Sequence, residues 1–223
     1  MKKRLTRFLP FLLAFTIALP SYSVFAEEEN QAKETQTNET NKTQADETTA
    51  NDTLSLAAET AVLIDAASGE ILYDKDADKK MYPASITKLM TILLALENGK
   101  LTDEITFSHD AVYNIEPGSA HIAILEGETL TLEQVLRAII LRSANEASNG
   151  VAEYVDGSVE AFAKHMTERA KELGCTNTNF VNANGLFDEN HYTTAHDMAL
   201  IARELLKHEE YRSMMSETDY KIP

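Results

Sequence analysis

The 223-residue sequence has no tryptophan, one cysteine, five prolines and eight glycines. A single cysteine excludes an internal disulfide and any zinc site built on several thiolates. Positive charge is also scarce: 20 Lys and Arg stand against 36 Asp and Glu, a formal charge of −16. Nucleic-acid binding relies on clustered Lys and Arg, so this balance argues against a nucleic-acid partner. The apolar run near the start, Phe8 to Leu19, falls short of the ~20 residues that a membrane span needs. What remains is 43% hydrophobic and 25% charged, an ordinary globular balance with room for one sizeable core.

That short run follows a basic head of Lys2, Lys3, Arg4 and Arg7 and precedes Val24-Phe25-Ala26, small residues at the positions a signal peptidase reads. Residues 1–26 are therefore read as a signal peptide; an uncleaved anchor is the competing reading, disfavoured by the length of the run. Cleavage removes four positive charges, takes the charge to −20 and exports the protein. Residues 27–56 are Glu, Asn, Gln, Thr and Ala with almost nothing apolar. Such a segment cannot offset its ordering entropy by burial and is expected to be a disordered acidic linker.

Order is expected over 57–223. Ala61–Asp65 and Glu70–Asp74 are strand-like, and Ala66-Ala67-Ser68-Gly69 between them supplies a hairpin turn. Pro83 introduces a helix over 84–98 that stops at Gly99, a C′ residue by pattern, and whose apolar residues run nearly all round it. Thr131 and Gln134 form a capping box for a helix to about Leu141. Further helices are expected over 146–155, over 159–173 and, after Thr194 and Asp197, through Lys207. One hairpin and at least five helices indicate an α+β fold with segregated strands. A two-stranded hairpin is marginal alone. It either packs on helices or belongs to a sheet whose other strands lie elsewhere.

Ser85 and Lys88 stand three apart, which puts both side chains on one helical face a turn apart. A neutral lysine there can take the serine proton, provided burial lowers its pKa. The first turn, with its free N–H groups, favours the negative charge that develops on the attacking oxygen. With 12 serines and 13 lysines, chance supplies about 0.7 such pairs, so the spacing alone equally describes an N-terminal serine and a snorkelling lysine. Ser143-Ala144-Asn145, 58 residues on, sits between two predicted helices. It could present a hydroxyl and an amide to a cleft, or be a helix stop and a new cap.

The ordered pair, Ser-x-x-Lys on a buried helix and then Ser-x-Asn, occurs in penicillin-binding proteins and class A β-lactamases. The run Pro83-Ala84-Ser85-Ile86-Thr87-Lys88-Leu89-Met90-Thr91 resembles the active-site helix of D-alanyl-D-alanine carboxypeptidases, the low-molecular-mass penicillin-binding proteins. The resemblance extends from about Ala57 to the end. It takes in the hairpin, Leu125-Glu126-Gly127-Glu128, Asn184-Gly185-Leu186, and His191-Tyr192-Thr193-Thr194-Ala195-His196-Asp197-Met198-Ala199. It implies a β-lactamase/transpeptidase-like α+β fold: the hairpin of an antiparallel sheet plus a helical lobe. It also implies that Ser85 attacks the penultimate D-alanine carbonyl of a peptidoglycan stem peptide and that Lys88 accepts its proton. Ser143 would help protonate the leaving D-alanine, Asn145 would orient the substrate, and β-lactams would acylate Ser85 as covalent inhibitors. No metal or cofactor is implied.

Two departures stand out. The second motif usually reads Ser-Gly-Asn-Asp but here is Ser143-Ala144-Asn145-Glu146, a mild change unless residue 144 needs φ > 0. The third motif, Lys-Thr-Gly, which binds the substrate carboxylate from a later strand, is absent from the 223 residues. The chain is therefore expected to be the N-terminal part of such an enzyme, C-terminally truncated and inactive or very weak alone. Alternatives are a non-catalytic penicillin- or peptidoglycan-binding module and a class A β-lactamase. Phe180–Asp188 does not supply the glutamate arrangement of the latter. The expected location is extracytoplasmic, at the cell wall or the outer face of the cytoplasmic membrane; the sequence leaves open peripheral membrane association through a C-terminal region not present here.

Of the remaining residues, His191 and His196 are five apart, off the spacing of a helical metal pair. Cys175 is expected to be an inert packing residue, and Met214 and Met215 core filler.

Overall fold

A computed structural model describes residues 56–222. They fall within one compact unit, Glu47–Pro223, and the other unit, Met1–Asp46, lies outside them. The expected signal peptide, residues 1–26, and all but the last residue of the linker expected over 27–56 also lie outside the described residues.

Strands β1 (Ala61–Ile64) and β2 (Ile71–Lys75) pair antiparallel, with a register irregularity between Leu63 and Ile64. Their turn is organised by Asp65, whose Oδ1 accepts from the Ala67 and Ser68 amides at 3.1 and 2.6 Å and from the Ser68 hydroxyl at 2.8 Å. Hydrogen bonds to Ser68 hold this exposed carboxyl below the usual aspartate range. Gly69 completes the turn at φ +83, a conformation that suits glycine. The hairpin rests on helix α6 (Ala195–Leu205), whose Arg203 donates to the Ala66 and Ala67 carbonyls at 2.9 Å each. Leu63, Ile71 and Leu72 remain 45–55% exposed, so α6 covers only part of the hairpin.

Pro83 leads into a 3-10 turn, Ala84–Thr87, and α1 proper spans Lys88–Asn98. The turn corrects the expectation of one α-helix from Ala84: Ala84 takes φ +48, which an α-helix cannot include. Met90 through Ala95 are all buried, Thr91 with its hydroxyl bonded and the others as their apolar character requires, and α1 forms the centre of the core. Gly99 ends the helix for a different reason from the one expected. Its backbone is extended, φ −132, while a Cβ there would meet Leu132 and the Tyr154 hydroxyl at 2.8 Å. The glycine leaves room for these two side chains and is not a left-handed cap.

A second, unanticipated sheet pairs β3 (Glu104–Thr106) with β4 (Thr129–Thr131), antiparallel. Helix α2 (His109–Tyr113) follows β3, and residues 114–128 form a strap that returns to β4. Helix α3 (Leu132–Arg142) begins with the predicted box: Gln134 N–H donates to Thr131 Oγ1, and Thr131 N–H to Gln134 Oε1. Helix α4 (Asn145–Asp156) is buried from Asn145 through Ala152 and packs against α1, α2, α3 and α5 (Val159–Glu172). Helix α6 has half of a capping box: Thr194 Oγ1 accepts from Asp197 N–H, but Asp197 Oδ2 serves Asn177 and Thr178. Helix α7 (Glu209–Met215) follows and packs against α3. The arrangement is a helical lobe with two small antiparallel sheets, the α+β class expected.

Candidate active site

Ser85 sits exposed on the 3-10 turn, and Lys88, the first residue of α1, is only 4% exposed. The two meet one turn apart, as the spacing predicts, with Nζ 3.3 Å from Ser85 Oγ. Two shorter bonds anchor the amine from the other sides: Nζ donates to Asn145 Oδ1 at 2.7 Å and to the Asn184 carbonyl at 2.6 Å. Burial brings the Lys88 amine down to about 8, while the Glu146 carboxylate pulls in the opposite direction. A neutral amine has two N–H donors and one lone pair. With both donors committed to Asn145 and Asn184, the lone pair is left for the direction of Ser85, where it can accept the hydroxyl proton.

Ser143 ends α3 in the left-handed conformation, φ +54, which turns it out of the helix. Its hydroxyl is buried, without a hydrogen-bond partner among the described residues. Ala144 has φ −61, so a methyl is unstrained there and the departure from the family's glycine has no backbone cost. Ser85, Lys88 and Ser143 line one cavity of about 460 Å3 with apolar walls from Ile86, Ile139 and Tyr211. Met214 is core, but Met215 is half exposed on the wall of this cavity, which corrects its expected role as filler.

Asn145, expected to face substrate, commits its side-chain oxygen to Lys88, and its backbone N–H donates to the Ala120 carbonyl at 2.9 Å.

The segment 178–194 supplies supports that motif reasoning did not assign to the site. Thr91 Oγ1 donates to the Ala183 carbonyl at 2.6 Å, and Gly185 at φ +86 lies tight against the Ala84 carbonyl. The sequence signal was the Asn-Gly pair, a turn former whose partner could not be read. His191, 2% exposed, accepts the Val181 N–H at Nδ1 (3.1 Å), so its proton sits on Nε2, 2.7 Å from Thr87 Oγ1. His196 instead pairs with Asp78 at 3.1 Å, so the two histidines serve separate contacts. Cys175 is buried, and burial pushes its thiol up to about 12, in keeping with an inert packing role.

Burial pushes His191 down to about 4, against a weaker pull from Asp188. Because the folded pKa lies below the unfolded one, the unfolded chain binds the extra proton first. His191 therefore contributes stability that is present above pH ~6.5 and is lost as pH falls towards 4, by about 3 kcal/mol. Urea titrations at pH 7 and 4.5 should show this loss, and His191→Gln should flatten the slope over that window. An equally steep slope in the variant would remove His191 as its cause.

A helical lobe with a buried lysine and two serines on one cavity, beside an antiparallel hairpin, is the α+β architecture of solved penicillin-binding proteins. Among solved structures, penicillin-binding protein 5 from Haemophilus influenzae superposes with a TM-score of 0.71 at 32% identity, over 76% of this chain and 51% of that one. The D-alanyl-D-alanine carboxypeptidase DacD from Francisella tularensis gives 0.65 at 34% identity, over 69% of this chain and 38% of the other. In sequence, DacF of Bacillus subtilis, a D-alanyl-D-alanine carboxypeptidase, is 43% identical over 161 residues, 70% of this chain and 41% of DacF. DacA of Haemophilus influenzae is 33% identical over 219 residues, 95% of this chain and 51% of DacA. The S11 peptidase family, described as D-alanyl-D-alanine carboxypeptidase, matches residues 43–222, and the chain belongs to it. The chain spans about two-fifths to one half of the length of these curated relatives.

Proposed function

We propose that this chain carries the nucleophile and base of a serine D-Ala-D-Ala carboxypeptidase acting on peptidoglycan stem peptides outside the cytoplasm. The observation that supports this most directly is the Lys88 amine. It is buried, its pKa is brought down to about 8, and Asn145 and Asn184 anchor it so that its remaining position faces Ser85. In the first step the neutral Lys88 amine takes the Ser85 proton as Oγ attacks the carbonyl carbon of the penultimate D-alanine. The resulting ammonium stays held by the same two oxygens. Ser143, on the same cavity wall, relays a proton to the nitrogen of the departing D-alanine, and water then frees the acyl group from Ser85. A β-lactam carbonyl would enter by the same first step, with the ring nitrogen as leaving group.

Fluorescent penicillin, long incubation and a denaturing gel test the reading on the whole chain. A Ser85-dependent band, slow but absent in Ser85→Ala, is expected. No such band would favour a non-catalytic binding module. The lifetime of the adduct separates the remaining alternative: a long-lived adduct fits a carboxypeptidase, a sub-second one a β-lactamase.

A further inference from the structure

Glu146 follows Asn145 on α4 and stands where the family's second motif usually has aspartate. It is 1% exposed. One oxygen, Oε1, accepts the Ile122 N–H at 2.6 Å; the other, Oε2, is buried with no partner among the described residues. Ile122 lies in the strap, residues 114–128, which has no regular secondary structure and takes φ +62 at Ala123. A second bond, Asn145 N–H to the Ala120 carbonyl, fixes the strap to the residue whose side chain holds Lys88. Strap and base thus meet on two consecutive residues of one helix start.

We propose that Glu146 is a positioning residue: its buried carboxylate ties the strap to the Ser85–Lys88 couple, linking strap placement to the charge state of the base. A carboxylate out of water exerts its field with little screening. Among the described residues, Glu146 on α4 acts on the Lys88 charge and Tyr211 on α7 lines the cavity with the couple; His191 meets Thr87 between them and is neutral above pH ~4. From the strap, Glu116 and His121 line a cavity of about 350 Å3 with Glu146. The Glu146 charge therefore favours the ammonium form of Lys88 and opposes the effect of burial, while its hydrogen bond holds the strap at Ile122.

The proposal rests on the reading of Lys88 as base only for its meaning in acylation, because both measurements work whether or not Ser85 is ever acylated. Carbon-labelled lysine followed by NMR gives the Lys88 titration, and native-state hydrogen exchange reports on the amides of residues 120–123. Glu146→Gln keeps an acceptor for Ile122 but loses the charge. It should move the Lys88 midpoint down by on the order of one pH unit with strap exchange near native. Glu146→Ala should move the midpoint equally and speed exchange at Ile122 about tenfold or more. Glu146→Asp restores the charge and should return the midpoint towards native. A Lys88 midpoint unchanged in Glu146→Gln, or native exchange in a folded Glu146→Ala, overturns the proposal. If Glu146→Ala does not fold, the Gln and Asp titrations decide it.

Discussion

Lys88→Ala is expected to lower the rate of Ser85 labelling by penicillin about a hundredfold to ten-thousandfold, whatever rate the native chain reaches. The reason is the protonation state that the fold imposes. An exposed lysine has its midpoint at 10.5, but burial brings Lys88 to about 8, so at pH 7 about one-tenth of the amine is already neutral. Labelling of the native protein should rise with pH and reach half its plateau near pH 8, because the neutral form is the one that accepts a proton. The check is a set of single-turnover labelling rates from pH 6 to 9.5. A flat profile, or native labelling in Lys88→Ala, would show that another group accepts the Ser85 proton. Arg in place of Lys88 should be as inactive as Ala, since guanidinium does not deprotonate in this range.

The second large effect is structural and lies across the chain from the motif. Gly185→Ala is expected to destabilise the domain by about 3–5 kcal/mol and to abolish labelling of Ser85. An alanine Cβ at 185 would stand 1.9 Å from the Ala84 carbonyl oxygen and 2.4 Å from its carbon, and φ there is +86. Neither side can yield without disturbing the site. Ala84 precedes Ser85 at φ +48, and the residue before Gly185 holds Lys88 through its carbonyl. Gly157→Ala is the comparison: it has a similar φ of +78 but nothing within 4 Å of a new Cβ. It should cost only the backbone strain, about 1–2 kcal/mol. Urea unfolding of both variants measures the difference, and equal losses would show that the contact with Ala84 relaxes freely.

The five longer helices, α1 and α3 to α6, were legible in the sequence because their signals are local; the short α2 and α7 were not. The Thr131–Gln134 box, the buried run of α1 and the stop at Ser143 each rest on residues within a turn of one another. The Ser85–Lys88 pair was legible on the same ground. Its specificity came only from the second motif in order behind it. The strands β3 and β4 were not legible, because three residues are too few to show a period and their pairing spans residues 104 to 131.

By itself, then, the sequence determined that a serine and a lysine share one helical face, that the chain folds as α+β, and which family it resembles. The tertiary structure decided what surrounds that lysine and so which way its pKa moves. The carbonyl that anchors it comes from Asn184, 96 residues away, and the amide oxygen from Asn145, 57 away. The histidine that meets Thr87 is 104 residues away. A pKa follows from desolvation and from the direction of neighbouring dipoles, and both are set by which distant segments the core brings together.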